Sequence, residues 1–270
     1  MPAILIVLLI LVLIFLLSLM GRTGHKGLEP LRGWRYAHRG LHGNGIPENS
    51  MAAFRKALEH GFGIELDVHL MKDGTLAVIH DASLKRTAGA AVRIEELTAE
   101  DLENYRLEGT DEKIPTLEQV LDLFAGKAPM IVEIKSVNNA AAVSEAVCNA
   151  LANYSGPYCL ESFDPRCIHW LKKNRPEEIR GQLSENFVRN KRSRLKPALK
   201  WAMTTMVLNI VNRPDFVAYK FSDRKLLPIT LCRKLWRIQG VTWTITSAED
   251  LATAEKEGWI PIFEKFLPEK

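Results

Sequence analysis

The chain has 270 residues, 47% hydrophobic and 25% charged, with a formal net charge of +4. Its four cysteines, Cys148, Cys159, Cys167 and Cys232, show no close paired spacing, which argues against a disulfide framework or a zinc site and fits a reducing compartment. Walker or dinucleotide glycine loops and short tandem repeats are also missing.

The N-terminal run over 3–20 is apolar apart from Ser18. As a helix it would reach about 27 Å, just enough for a hydrocarbon core of roughly 30 Å. No Lys or Arg precedes the run and no A-x-A-like site follows it, so it reads as an uncleaved membrane helix and not as a signal peptide. Arg22, Lys26, Arg32 and Arg35 follow closely, which places the domain beyond on the cytoplasmic side of a single-pass protein. The expected organisation is a membrane helix over 1–22, a linker over 23–32 and one large domain over 33–270.

Beyond the linker, short apolar runs alternate with amphipathic stretches. Strands are expected over 34–37, ending at His38, and over 63–68, carrying Glu65 and Asp67. Others are 76–79, ending at His80, 130–134 with Glu133, and 158–160 leading to Ser162. Later strands fall at 181–184, 216–219, 241–245 and 260–263, with helices such as 50–60, 116–124, 140–153 and 248–258 between them. This alternation argues a parallel sheet with helical crossovers. A TIM barrel of this kind would gather the polar strand ends on one face. Two segments break the rhythm. Residues 83–114 are polar and turn-rich and read as an insertion. Residues 194–212 begin basic and turn apolar, and they suit an ordinary barrel helix with a buried face better than an interfacial helix. The run 189–200 carries Arg189, Lys191, Arg192, Arg194, Lys196 and Lys200 with no acid.

The chemistry concentrates at the strand ends. Glu65 and Asp67, two residues apart, point to one face of a strand. Paired buried carboxylates repel unless a cation lies between them, and all-oxygen ligands favour Mg²⁺ or Ca²⁺. Glu133 adds a third acid, with Lys135 beside it. His38 and His80 each end an apolar strand and precede a charged residue, which makes them the proton-transfer candidates, with His42 in reserve. Arg39 offers a planar fork for phosphate oxygens.

His38-Arg39-Gly40, Pro47-Glu48-Asn49-Ser50, Glu65-Leu66-Asp67, Lys72-Asp73-Gly74, His80-Asp81 and Leu84-Lys85-Arg86-Thr87 occur in this order. Ile114-Pro115-Thr116-Leu117, Glu133-Ile134-Lys135, Ser162-Phe163 and Val241-Thr242-Trp243-Thr244 follow. The series resembles the glycerophosphodiester phosphodiesterase family across almost all of the chain after the apolar run. That resemblance implies a TIM (β/α)8 barrel with a small insertion after the second strand, and a divalent metal on Glu65, Asp67 and Glu133, with Glu48 assisting. It also implies an acid/base pair in His38 and His80, phosphate contacts from Arg39 and Lys135, and positioning by Asn49. Trp243 would wall the glycerol or head-group pocket. Ser50 departs mildly from the family pattern, and the late acidic position falls at Glu264. The expected reaction is hydrolysis of a glycerophosphodiester to glycerol 3-phosphate and an alcohol at a membrane-tethered barrel. The alternatives are lysophospholipids as substrates, or an inactive module that binds lipid head groups. No nucleic-acid partner is expected.

Overall fold

The computed structural model describes residues 2–137 and 139–269. In chain order the regular elements begin with α1 (Pro2–Ser18), β1 (Tyr36–His38), α2 (Met51–Glu59), β2 (Gly63–Leu70), β3 (Leu76–Val78), α3 (Leu117–Phe124) and β4 (Met130–Ile134). Next come α4 (Ala140–Leu151), β5 (Tyr158–Ser162), α5 (Pro165–Asn174), β6 (Arg180–Ser184), α6 (Pro197–Thr205) and α7 (Asn209–Asn212). The chain finishes with β7 (Phe216–Lys220), α8 (Leu227–Lys234), β8 (Gln239–Ile245), α9 (Ala248–Lys256) and β9 (Trp259–Phe263).

All strands except β3 pair in parallel, and β1 bonds both β9 and β2, so the sheet closes into an eight-stave barrel. The helices start where the sequence supplies caps. Ser50 accepts from Ala53 N at the head of α2, Thr116 and Gln119 form a capping box on α3, and Asp164 caps α5, which has Pro165 in its first turn. One core fills the barrel with Tyr36, Ile131, Leu183, Phe216, Val241 and Ile262, closed at the base by Leu28 and Leu31 from a short 3-10 turn, Lys26–Leu31. A second core lies between staves and helices.

The expected strand at 76–79 is present as β3 but is not a stave. It pairs antiparallel with β2, because β2 runs on to Leu70 and the chain folds back through Lys72-Asp73-Gly74, where Gly74 has φ +92°. The excursion from the barrel therefore starts before residue 83. It carries a small core of its own, including Met71, Ile79, Leu84, Ile94 and Leu107. The expected helix over 194–212 is broken in two at Met206, which is left-handed at φ +61°. Met203, Thr204, Asn209 and Asn212 are buried, while Trp201, Ile210 and Val211 stay exposed.

The N-terminal expectation is corrected. No helix among the described residues is long and apolar enough to cross a membrane, so neither a membrane-spanning helix over residues 3–20 nor a single-pass placement is supported. Helix α1 has 17 residues, about 26 Å. The apolar run overstated its length because its end belongs to the barrel. Leu19 is fully buried, and its carbonyl accepts from Asn209 Nδ2 at 3.2 Å. Trp236 Nε1 donates to Leu16 O at 2.8 Å, and Phe15 packs on the outer core. Just beyond, Arg22 pairs with the buried Asp215 through Nε–Oδ1 at 2.5 Å and Nη2–Oδ2 at 2.6 Å.

Candidate active site

The C-terminal ends of the staves bring together residues separated by up to 226 positions. Register places His38 beside Glu65 and Asp67 beside Glu133, and Glu133 beside Glu161. Alternation on each strand turns these side chains to the barrel axis. The loop after β1 holds Arg39 at φ +55° and Asn49 at φ +51°, a local cost that tends to collect at functional sites. Gly40, at φ +78°, packs so closely on α2 that a Cβ there would lie 2.8 Å from Ala53 Cβ. The loop is tied by Asn49 N donating to Arg39 O at 2.9 Å.

Glu65, Asp67 and Glu133 are buried and offer oxygens that all lie within 4.8 Å of one another. Lys135 Nζ sits 2.9 Å from Asp67 Oδ1 and 2.8 Å from Glu133 Oε1. Arg39 Nε lies 3.4 Å from Asp67 Oδ2, its backbone N–H donates to Glu65 Oε2 at 3.2 Å, and Asn49 Nδ2 donates to Asp67 Oδ2 at 2.9 Å. Burial pushes the Glu65 carboxyl well up, helped by the charges of Asp67 and Glu133. Burial also lifts Glu133 to about 7 against the pull of Lys135. Asp67 goes the other way, since Lys135, His80 and Arg39 outweigh its burial and hold it well below the usual range. Three buried acids with two cations in contact have the hard-oxygen donor set that suits Mg²⁺ or Ca²⁺. The residues fit such an ion.

Each candidate histidine has one ring nitrogen committed. His38 Nδ1 donates to Glu264 Oε2 at 2.8 Å, and that bond is the main reason Glu264 is held down at about 2. His80 Nδ1 donates to Asp81 Oδ1 at 2.6 Å. An ionised carboxylate can only accept, so both rings carry the proton on Nδ1 and leave Nε2 for chemistry. His38 Nε2 lies 3.8 Å from Glu65 Oε2. Burial lowers the His80 pKa, with Asp67 opposing and Lys135 assisting. His42 stands 3.9 Å from Glu264 Oε2, beside the first pair.

Glu48, expected to assist the metal, accepts from two arginines. Arg39 Nη1 donates to its Oε1 at 2.9 Å, and Arg86 donates to Oε1 at 2.7 Å and Oε2 at 3.0 Å. Arg86 also reaches Asp81 Oδ2 at 2.6 Å, so one guanidinium joins the loops that carry the two histidines. Ser162 Oγ donates to Ile134 O at 2.7 Å and serves to tie strands together. Trp243 meets Phe163 edge-on, with ring centroids 5.5 Å apart, making an aromatic wall.

The model of the glycerophosphoryl diester phosphodiesterase family matches residues 38–264. The chain belongs to this family. A glycerophosphodiester phosphodiesterase of Bacillus altitudinis is 42% identical over 38% of this chain and 45% of its own length. One from Caldanaerobacter subterraneus is 35% identical over 52% and 62%. A lysophospholipase D of Rattus norvegicus is 38% identical over 38% and 36%. The alignments thus span roughly a third to three fifths of these curated relatives. Among solved structures, a phosphodiesterase from Silicibacter pomeroyi superposes with a TM-score of 0.72 at 22% identity, covering 90% of this chain and 95% of that one. An Oleispira antarctica phosphodiesterase, in complex with the product sn-glycerol-3-phosphate, gives 0.70 at 20% identity, with 86% and 92% covered. Both establish the same barrel.

His38, Arg39, Asn49, Glu65, Asp67, His80, Glu133, Lys135 and Trp243 all lie at the C-terminal face of this glycerophosphodiester phosphodiesterase barrel. Two further residues touch the site. Glu161 is buried next to Glu133, and burial lifts its carboxyl well above the usual range. On β5 it shares the inward face with Cys159, two residues before it, a signal masked in the sequence by the strand's polar end at Ser162. His69 is followed by Leu70 and not by a charged residue, so the pattern that marks His38 and His80 passes over it. It holds Glu95 of the insertion at 2.9 Å and the carbonyl of His80 at 3.2 Å, so the excursion braces one candidate catalytic loop.

Proposed function

We propose that the chain hydrolyses glycerophosphodiesters to glycerol 3-phosphate and an alcohol. The carrying observation is the pair of histidines beside a buried all-oxygen cluster, each with Nδ1 committed to a carboxylate. A divalent cation held by Glu65, Asp67 and Glu133 would supply positive charge to the phosphoryl oxygens. Arg39, kept in place by Glu48, and Lys135 present fixed cations to the same oxygens. One imidazole takes the proton of the attacking hydroxyl at Nε2. The other, as imidazolium, delivers a proton to the departing alkoxide, so charge balances across the P–O cleavage. Asn49 holds Asp67 in orientation, and the Trp243–Phe163 wall bounds the space for the alcohol or glycerol.

The test uses the intact chain with glycerophosphocholine in EDTA, Mg²⁺ or Ca²⁺, with phosphate-bearing products identified by mass spectrometry. Metal-dependent release of glycerol 3-phosphate is expected. His38→Ala or His80→Ala should lower kcat by about 10²–10⁴ while the circular-dichroism melt stays cooperative. Wild-type rates in both variants would overturn the acid/base assignment.

A further inference from the structure

The loop after β1 and the residue after β9 bring together a second group of metal-ligating side chains, different in chemistry from the three acids. His38, His42 and Glu264 offer two imidazole nitrogens and one carboxylate oxygen, all within 4.8 Å of one another. Glu264 Oε2 is the hub, with His38 Nδ1 at 2.8 Å and His42 Nε2 at 3.9 Å. Donors on one tetrahedral ion at about 2.0–2.1 Å stand roughly 3.4 Å apart, so these separations bracket the required spacing and need shifts of only about half an ångström. His42 has no other partner to satisfy. Its Nε2 is buried and finds no hydrogen bond among the described residues, a state that costs free energy unless something binds there. The backbone beneath it is fixed: Leu41 N donates to Ala53 O at 3.0 Å, and Gly43 exchanges bonds with Ile46 at 2.8 and 3.2 Å. Lys265 Nζ lies 3.1 Å from Glu264 Oε1, but its side chain is 70% exposed and can turn to solvent.

The donor set decides the ion. Two imidazoles and one carboxylate suit Zn²⁺ with water in the fourth position, whereas Mg²⁺ and Ca²⁺ prefer oxygens alone and match Glu65, Asp67 and Glu133. We infer that His38, His42 and Glu264 form an inhibitory Zn²⁺ site, whose occupation stops the hydrolysis proposed above. The inhibition rests on that reading, while the site stands on its own donors. An ion on His38 Nδ1 takes the place of the proton that Glu264 accepts, and the neutral ring then carries its proton on Nε2. No net proton is released. Such an Nε2 cannot accept a proton, and a coordinated neutral imidazole is a far weaker acid than imidazolium. The ring is lost as base and as acid alike.

Co²⁺ makes the site visible, because four-coordinate Co²⁺ with imidazole ligands absorbs strongly and octahedral all-oxygen Co²⁺ only weakly. The intact chain in excess Mg²⁺ would be titrated with Co²⁺ and then with Zn²⁺. An intense visible band that saturates at equimolar Co²⁺ and is removed by equimolar Zn²⁺ is expected. His42→Ala and Glu264→Gln should each weaken Co²⁺ binding by at least about 10–100-fold, the cost typical of losing even an outer partner of a metal ligand. His60→Ala, outside the site, should leave the band intact. Glycerophosphocholine turnover in Mg²⁺, each variant measured against itself without Zn²⁺, should fall with Zn²⁺ in wild type. The same inhibition of His42→Ala should need about 10–100 times more Zn²⁺. A weak octahedral spectrum, or binding that survives both substitutions, overturns the site. Inhibition that more Mg²⁺ relieves and that His42→Ala leaves unchanged overturns the inhibitory role, since Zn²⁺ then acts at the acidic cluster. Absence of turnover in every metal, with a band that depends on His42, removes the hydrolase reading and the inhibitory role with it but leaves the Zn²⁺ site.

Discussion

His38 and His80 are oriented in the same way by carboxylates of very different origin. Asp81 is the next residue to His80, while Glu264 follows β9, the strand that pairs with β1 across the barrel seam. Because the folded value of Glu264 is depressed to about 2, its stabilisation is complete above the ordinary carboxylate range and is lost as pH falls from about 4.5 to about 2. Glu264→Gln should therefore be less stable than wild type at pH 6 by about 1 kcal/mol, allowing for the screening of a partly exposed pair. The gap should close toward pH 3 in urea titrations, and a gap independent of pH would sink the assignment. The acidic cluster makes a second prediction. An ion bound only by the native state at 100 times its Kd raises unfolding stability by about 2.7 kcal/mol. Mg²⁺ or Ca²⁺ should produce such a shift in wild type and much less in Asp67→Asn. If neither ion moves the wild-type melt, the cluster is not a metal site. The acids and histidines were legible because each ends or interrupts an apolar run. Their second contacts were not, because Glu264, His69–Glu95 and Arg86–Glu48 meet only after the barrel closes.

At the scale of elements, α1 and the residues after it divide into two parts with different energetics. Side chains over 4–14 are at least half exposed, whereas Phe15, Leu19 and Arg22 engage the barrel base. Deleting residues 2–14 should leave the urea midpoint nearly unchanged. Arg22→Ala should cost about 3 kcal/mol, because it strands Asp215, whose side chain is fully buried, without its cation. Hydropathy counts residues and cannot see that the last of an apolar run has been claimed by another core. The same blindness affected β3. Its apolar triplet looks like a stave, but a three-residue strand following a tight turn finds its partner in the overhang of β2.

The whole molecule closes through β1, whose three residues join β9 to β2. All four cysteines are buried in it, and burial pushes the Cys148 and Cys232 thiols up to about 12. A thiol reagent should label fewer than one cysteine per native chain and all four in denaturant, with native labelling no faster than unfolding. Rapid labelling of several thiols would show a looser barrel than this one. The sequence by itself determined the alternation of strand and helix, the identity of the acidic and histidine residues and the family, because these depend on local period and on motifs read in order. Only the tertiary structure decided which apolar segments belong to the barrel, how far α1 extends and which carboxylate orients His38. It also decided that α6 lines the same cavity as His80, Glu133 and Lys135. Each of these turns on what lies across the closed sheet, and that distance in space has no counterpart in distance along the chain.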